Sequence, residues 1–292
     1  MPFAPRPRLN WRLCSRELAL GGRTLVMGIV NVTPDSFSDG GRFFAADAAV
    51  EHGLRLLEEG ADVLDVGGES TRPDAEALTA AEEQARVLPV LRGILAARRD
   101  AIVSIDTYHA ETARAAVDAG AEIVNDVSGH VWDAAMAATC AELRCGAVLM
   151  HTRGRSQEWR MQPGLEKGDV VALVMDGLRE RTGAAMAAGV ARESMVVDPG
   201  FGFGKILEEN YPLLAGLGEL HALGFPVMVG VSRKSFLGSS LKRAEGAAAL
   251  GLPTAVANTA AILAGAHIVR VHDVGAARDT AAIADRILEG AC

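Results

Sequence analysis

The sequence predicts an α/β protein folded as a (β/α)8 TIM barrel with a short N-terminal lead-in, and three observations carry that prediction. A helical run that ends in glycine, followed by a short β-branched apolar run, recurs along the chain. The apolar runs are continuous rather than alternating, as in Val-Leu-Asp-Val at 63–66 and Ile-Val-Arg-Val at 268–271. That pattern suits strands buried on both faces of a parallel sheet. No Gly-x-Gly-x-x-Gly follows the first apolar run, which weighs against the alternative, an open doubly wound sheet.

Taken in order, Thr24–Val30 supplies the first strand. Gly60 stops a helix before Ala61–Val66, and Ala101–Ile105 forms the third strand. Gly120 precedes Ala121–Val127. Gly146 follows the helical run Ala134–Arg144 and opens Ala147–Met150. Gly189 precedes Met195–Val197, Gly224 precedes Phe225–Val229, and Gly265 precedes Ala266–Val271. Glycine in each of these places is read as the left-handed residue that ends a helix. The segments between are amphipathic: Val171, Val174, Met175 and Leu178 fall on one helical stripe. Residues 1–23 are read as an extension covering the barrel floor, and 24–292 as the barrel itself.

Composition narrows the function. The 292 residues are 49% hydrophobic and 23% charged, an ordinary globular mix, and one barrel of this kind reaches that length. The chain holds no apolar run long enough to span a bilayer, and Met1 to Cys14 lacks the apolar stretch of a signal peptide, so a cytoplasmic protein is expected. Cys14, Cys140, Cys145 and Cys292 form no metal-binding pattern and read as free thiols. A net charge of −8 without a basic stripe argues against nucleic acid. It also means that an anionic substrate must find its positive field in a local cluster.

In barrels of this type the chemistry sits where the strands end. Here the apolar runs break into Asn31; Gly67-Gly68-Glu69-Ser70-Thr71-Arg72; Asp106; Asn125-Asp126; His151; Asp198; Ser232-Arg233-Lys234; and Arg270 with His272. Any one of these could be a turn or cap residue. All eight sets converging on one mouth suit a ligand with a donor-rich ring and an anionic tail. Two of the connections, 31–44 and 67–78, are long and glycine-bearing, as lids are.

Met27-Gly28-Ile29-Val30-Asn31-Val32-Thr33-Pro34-Asp35-Ser36-Phe37-Ser38-Asp39-Gly40-Gly41 and Gly67-Gly68-Glu69-Ser70-Thr71-Arg72-Pro73 closely resemble the two signatures of the dihydropteroate synthases. Ser104-Ile105-Asp106-Thr107, Ile123-Val124-Asn125-Asp126, Asp198 to Lys205, Ser232 to Ser235 and Arg270-Val271-His272-Asp273 follow in the family order, over about residues 24 to 290. The resemblance implies the same barrel, folate biosynthesis, and condensation of 6-hydroxymethyl-7,8-dihydropterin pyrophosphate with p-aminobenzoate, with Mg2+ assisting the leaving group. Asp106, Lys234 and Arg72 are implied as the catalytic set. Asp106, Asn125, Asp198 and Lys234 would hold the pterin, and Asn31, Thr71, Arg72, Arg270 and His272 the pyrophosphate, with Asn31 on the metal. Phe37, Thr71, Pro73, Phe203, Ser232 and Lys234 would line the p-aminobenzoate side. A homodimer and sensitivity to sulfonamides follow the family habit.

The residue chemistry agrees. A carboxylate can accept two parallel hydrogen bonds from a pterin edge. An aromatic amine is neutral at pH 7, so a site without a Ser/His/Asp or Cys/His set suffices, on a dissociative path resembling SN1. Methyltetrahydrofolate methyltransferases share the pterin carboxylates but give no reason for Arg72, Arg270 and His272 together. The match frays at Thr152, where the family commonly has Met, and over 153–163, read as a reshaped peripheral loop. His151 is expected to be structural, and His52, His109, His221 and His267 to lie away from the mouth.

Overall fold

The structure is a computed structural model and describes residues 4–32, 42–70, 77–239, 241 and 247–291. A hairpin of β1 (Leu9–Arg12) and β2 (Glu17–Leu20) precedes eight parallel strands: β3 (Leu25–Asn31), β4 (Val63–Gly67), β5 (Val103–Asp106), β6 (Ile123–Asp126), β7 (Gly146–Met150), β8 (Met195–Asp198), β9 (Met228–Val229) and β10 (Ile268–Val271). The helices are α1 (Arg42–Glu58), α2 (Ala80–Ala97), α3 (Ala110–Asp118), α4 (Met136–Leu143), α5 (Val170–Ala187), α6 (Asn210–Ala215), α7 (Phe236–Ser239), α8 (Gly251–Leu263) and α9 (Val274–Gly290). Strand order runs β8-β7-β6-β5-β4-β3-β10-β9. The seam between β8 and β9 is closed by a bridge of Val197 to Val227, with Val197 N–H donating to Pro226 O at 2.9 Å. The expected strand Phe225–Val229 shrinks to two residues because Pro226 has no N–H to give a ladder.

The glycine stops behave as read. Gly60, Gly120, Gly189, Gly224 and Gly265 all have positive φ, between 72° and 109°. Gly146 does not. The helix before it ends on Arg144 in the left-handed conformation, φ 52°, and Gly146 is the first residue of β7. A Cβ at Gly146 would lie 2.6 Å from Leu13 Cδ2, so glycine there serves close packing rather than the turn. Elsewhere, Thr79 and Glu82 close a reciprocal cap at the start of α2, and Asp273 accepts Ala276 N–H at 3.0 Å to cap α9.

Strand alternation sorts the barrel into layers. Met27, Val63, Ile123, Val148, Val196, Met228 and Ile268 share an inner apolar cluster with Trp11, Leu13 and Leu20 of the lead-in. Residues of the opposite parity, such as Val26, Leu64, Ile105 and Leu149, pack outward in the cluster that includes helix residues Val87, Leu91, Val174 and Leu178. Two residues further along the same strands, the inward positions are Asp65, Asn125, Asp198 and Arg270. The polar mouth therefore rests directly on a dry layer.

Trp11 is fully buried and its Nε1–H donates to Ser194 O at 2.8 Å. Trp11→Ala is expected to lower unfolding stability by about 3–5 kcal/mol, the usual cost of emptying a site of that size. Urea denaturation checks it, and a loss under about 1 kcal/mol would mean that the hairpin is loosely docked.

Candidate active site

The mouth is organised around an arginine held between two carboxylates. Arg270 Nε donates to Asp65 Oδ2 at 2.6 Å and its Nη2 to Asp106 Oδ2 at 2.5 Å. Asn125 Nδ2 donates to the same Asp65 oxygen at 2.9 Å. Asp65 is fully buried and its Oδ1 has no protein partner. Desolvation pushes the Asp106 carboxyl up to about 7, with Arg270 opposing and Asp65 reinforcing the rise. Arg270 stays charged, since its guanidinium is moved further up by Asp65 and Asp106 against burial.

Arg270 and His272 share a face, and the Arg270 stem reaches to β4 and β5, where its guanidinium is bonded to both carboxylates.

Asp198 ends β8, and its Oδ1 accepts Gly200 N–H at 2.7 Å. Burial raises its pKa, with Lys234, Gly200 N–H, Lys205 and Arg270 working against the rise. Gly230 lies between Asp198 and Arg270: a Cβ there would be 3.9 Å from Asp198 Oδ2 and from Arg270 Cβ. The two groups thus flank one opening. Lys234 donates to Phe201 O, and its ammonium lies 4.2 Å from the centre of the Phe203 ring. Burial pushes Lys234 down to about 7, opposed by Asp198.

Beside this group, where β9 and β10 end, Ser232 Oγ and His272 Nδ1 are 2.9 Å apart, and His272 N–H donates to Ser232 Oγ at 3.2 Å. Burial first, and Arg233 and Arg270 next, pull His272 down to about 4, so the ring is neutral at pH 7. Ser232, expected on the aminobenzoate side, stands at the mouth with its hydroxyl against His272. Asn31 is exposed at the end of β3. Phe37, Thr71, Arg72 and Pro73 lie outside the described residues.

The 153–163 segment lies at the surface, as expected of a peripheral loop, but touches the mouth at several points. Thr152 turns its hydroxyl onto Gly154 O at 2.9 Å, which opens a tight bend. Arg153 Nη1 donates to Gly204 O at 3.1 Å, Trp159 packs edge-on against Phe203 with centroids 5.1 Å apart, and Arg155 lies 5.1 Å over Trp132. Arg and Trp both bind flat aromatic and carbonyl surfaces well. His151 is buried, and its ring packs against α5, where a Cβ at Gly177 would meet its Cδ2 at 2.5 Å. His109 lies nearer the mouth than expected, 3.7 Å from Glu69 at the base of the second long loop. The sequence reading assigned no role to Asp65 or Lys205. A carboxylate at an inward parity position within an apolar strand was the available signal for the first.

Residues 27–272 match the family described as pterin binding enzyme. A dihydropteroate synthase of Mycobacterium leprae is 48% identical over 258 residues, which is 87% of this chain and 90% of that protein. The solved structure of Xanthomonas albilineans dihydropteroate synthase with 4-aminobenzoic acid superposes with a TM-score of 0.88 at 43% identity, over 96% of this chain and 98% of the other. The same enzyme in complex with 7,8-dihydropteroate gives a TM-score of 0.83 at 42% identity over the same shares of the two chains.

Proposed function

The chain belongs to the pterin binding enzymes and, among them, to the dihydropteroate synthases, and from that premise we propose that it condenses 6-hydroxymethyl-7,8-dihydropterin pyrophosphate with p-aminobenzoate in folate biosynthesis. The products are 7,8-dihydropteroate and pyrophosphate. The observation that carries the assignment of residues is the polar layer of one mouth, in which Asp198 and the Arg270 network flank Gly230. Pyrophosphate release by the purified chain, followed with and without p-aminobenzoate, tests it. Release that never depends on the amine would overturn it.

In this reading Asp198 accepts from the ring N–H and exocyclic amine of the pterin, Asn125 and Asp106 meet the other ring nitrogens, and Lys234 donates to the carbonyl side. The bond between the methylene carbon and the pyrophosphate oxygen breaks first, and its electron pair leaves with the oxygen. The dihydropterin ring takes up the resulting cation, which Asp106 stabilises through space. The amine nitrogen of p-aminobenzoate then forms the new bond and releases its proton to solvent. His272, neutral at pH 7, and Arg270 line the side of the departing group. Arg72 and Thr71 belong to the same cradle by family position. Phe203 and Lys234 form the wall met by the arylamine, where a sulfonamide resembling p-aminobenzoate would compete.

Among the described residues no group of three or more His, Cys, Asp or Glu is arranged to hold a metal. Mg2+ takes few protein ligands and completes its shell with phosphate oxygens and water. Asn31 would hold it, and its charge would neutralise the departing pyrophosphate.

The proposed homodimer contact is the outer face of α8 and α9, where Leu252, Val256 and Ile283 are 66%, 63% and 64% exposed. Val256→Glu is expected to convert a sedimenting dimer to monomer, and an unchanged sedimentation coefficient would move the contact elsewhere. Cytoplasmic placement is supported by the free thiols of Cys14, Cys140 and Cys145. Among the described residues no helix is long and apolar enough to cross a membrane.

A further inference from the structure

The turn that follows β8 is assembled on a buried ammonium. Lys205 is 3% exposed, and its Nζ donates to the carbonyls of Gly200 at 2.7 Å, His151 at 3.0 Å and Phe203 at 3.3 Å. Among the described residues no carboxylate forms an ion pair with it. Its charged surroundings are Lys234, Arg181 and Arg153, set against Asp198 alone. An ammonium buried in such company is costly, so three converging acceptors are the compensation that keeps it there.

The choice of residue fits the geometry. The chain contains 25 Arg and four Lys, Lys167, Lys205, Lys234 and Lys242. A compact head with three donors can saturate three carbonyls aimed at one point, and a planar guanidinium cannot. Gly200, Gly202 and Gly204 hold φ of 68°, 76° and 71°, which turns those carbonyls inward. Neither Gly200 nor Gly204 leaves room for a side chain: a Cβ would lie 2.0 Å from His151 O or 2.6 Å from Arg153 Cβ.

What the turn carries is the arylamine side of the mouth. Phe201 O accepts from Lys234, and the Phe203 ring lies against both Lys234 and Trp159. Asp198 is placed differently. Its strand position pairs with Met150, and its carbonyl accepts His151 N–H at 2.9 Å. The ladder holds its backbone without the ammonium, while its carboxylate shares one contact with the turn, Gly200 N–H at 2.7 Å.

We propose that Lys205 is a positioning residue for p-aminobenzoate: it fixes the Gly200–Phe203 turn so that Phe203 and Lys234 form one wall, while the backbone of Asp198 is set by the β7–β8 ladder. This rests on the function proposed above. In the full chain, Lys205→Met keeps the stem and removes the donors. The expected result is a KM for p-aminobenzoate raised about tenfold or more, the scale on which a displaced contact acts, with a clearly smaller rise in the KM for pterin pyrophosphate, because Lys234 and Asp198 also face the pterin.

Asn210→Ala is the second variant. Asn210 Oδ1 accepts Gly202 N–H at 2.7 Å and its Nδ2 donates to Lys205 O at 3.1 Å, so it loosens the same turn without touching the charge. It should move the same KM in the same direction, and it decides the question if Lys205→Met does not fold. Both KM values rising by the same factor, or neither moving while the melting temperature falls, would overturn the proposal. Absence of amine-dependent turnover in the unmodified chain would instead overturn the function on which it rests.

Discussion

Asp198→Asn is expected to lower kcat/KM for pterin pyrophosphate by about 10²–10³-fold without loosening the fold. The carboxylate offers two acceptors and a full charge to a pterin edge made of donors. The amide offers one acceptor and turns an N–H pair toward those donors. Two charge-assisted bonds are worth about 1.5–3 kcal/mol each, and losing most of that corresponds to two or three decades of rate. The stability side has the opposite sign. Burial raises the Asp198 pKa, so this group favours folding fully below its unfolded value near 3.9, and that contribution is lost as pH rises through the folded value. A neutral amide removes that loss, and its Oδ1 can still accept Gly200 N–H. Pyrophosphate release and thermal melting, measured on the same preparation, check both halves. A variant within tenfold of the parent in kcat/KM would remove Asp198 from the pterin contact.

The barrel was legible because its strands carry two signals at once: a continuous apolar run and a glycine stop before it. Five of the stops sit in left-handed conformations, which no other residue adopts as cheaply. Gly146 was misread because packing against Leu13, rather than turn geometry, selects it, and packing across 133 residues leaves no local mark. The hairpin Leu9–Leu20 was missed for a related reason. Its strands are four residues long and gain their stability from Trp11 and Leu20 docked under the barrel, a tertiary effect.

At the site, the residues ending strands were found because polarity there breaks a pattern. Asp65 was passed over because it lies inside the run, where only parity distinguishes an inward position from an outward one. Side-chain reach was the other limit. The direction of Arg270 follows from alternation, but its partners, Asp65 and Asp106, depend on a long stem crossing the barrel. Ser232 illustrates the same point at shorter range. Its position on the mouth was clear, and its bond to His272 required the register of β9 against β10.

Arg270→Met is expected to have the largest effect on stability of any single change at the mouth. It leaves Asp65, fully buried, and Asp106 facing each other without the cation that bridges them. Removing one partner from a buried ion pair costs about 3–5 kcal/mol, more than the pair itself contributed, because the remaining charge is uncompensated. The cost must depend on pH, and the sign follows from Asp106. Its folded pKa, about 7, already exceeds the unfolded value near 3.9, and losing Arg270 removes the influence that holds it down. A raised carboxyl contributes stability that is complete below pH 4 and disappears as pH climbs through the folded value. Up to about pH 7 both proteins lose stability through Asp106 at the same slope, so the variant should trail by a constant amount there and fall further behind above pH 7, at up to about 1.4 kcal/mol per pH unit. Urea unfolding across pH 5 to 8 reads this directly. Adding Asp65→Asn to Arg270→Met should recover part of the loss at pH 8, because it removes one of the two like charges. A destabilisation that is flat with pH, or that Asp65→Asn leaves untouched, would mean that the guanidinium acts by filling space and not by its charge.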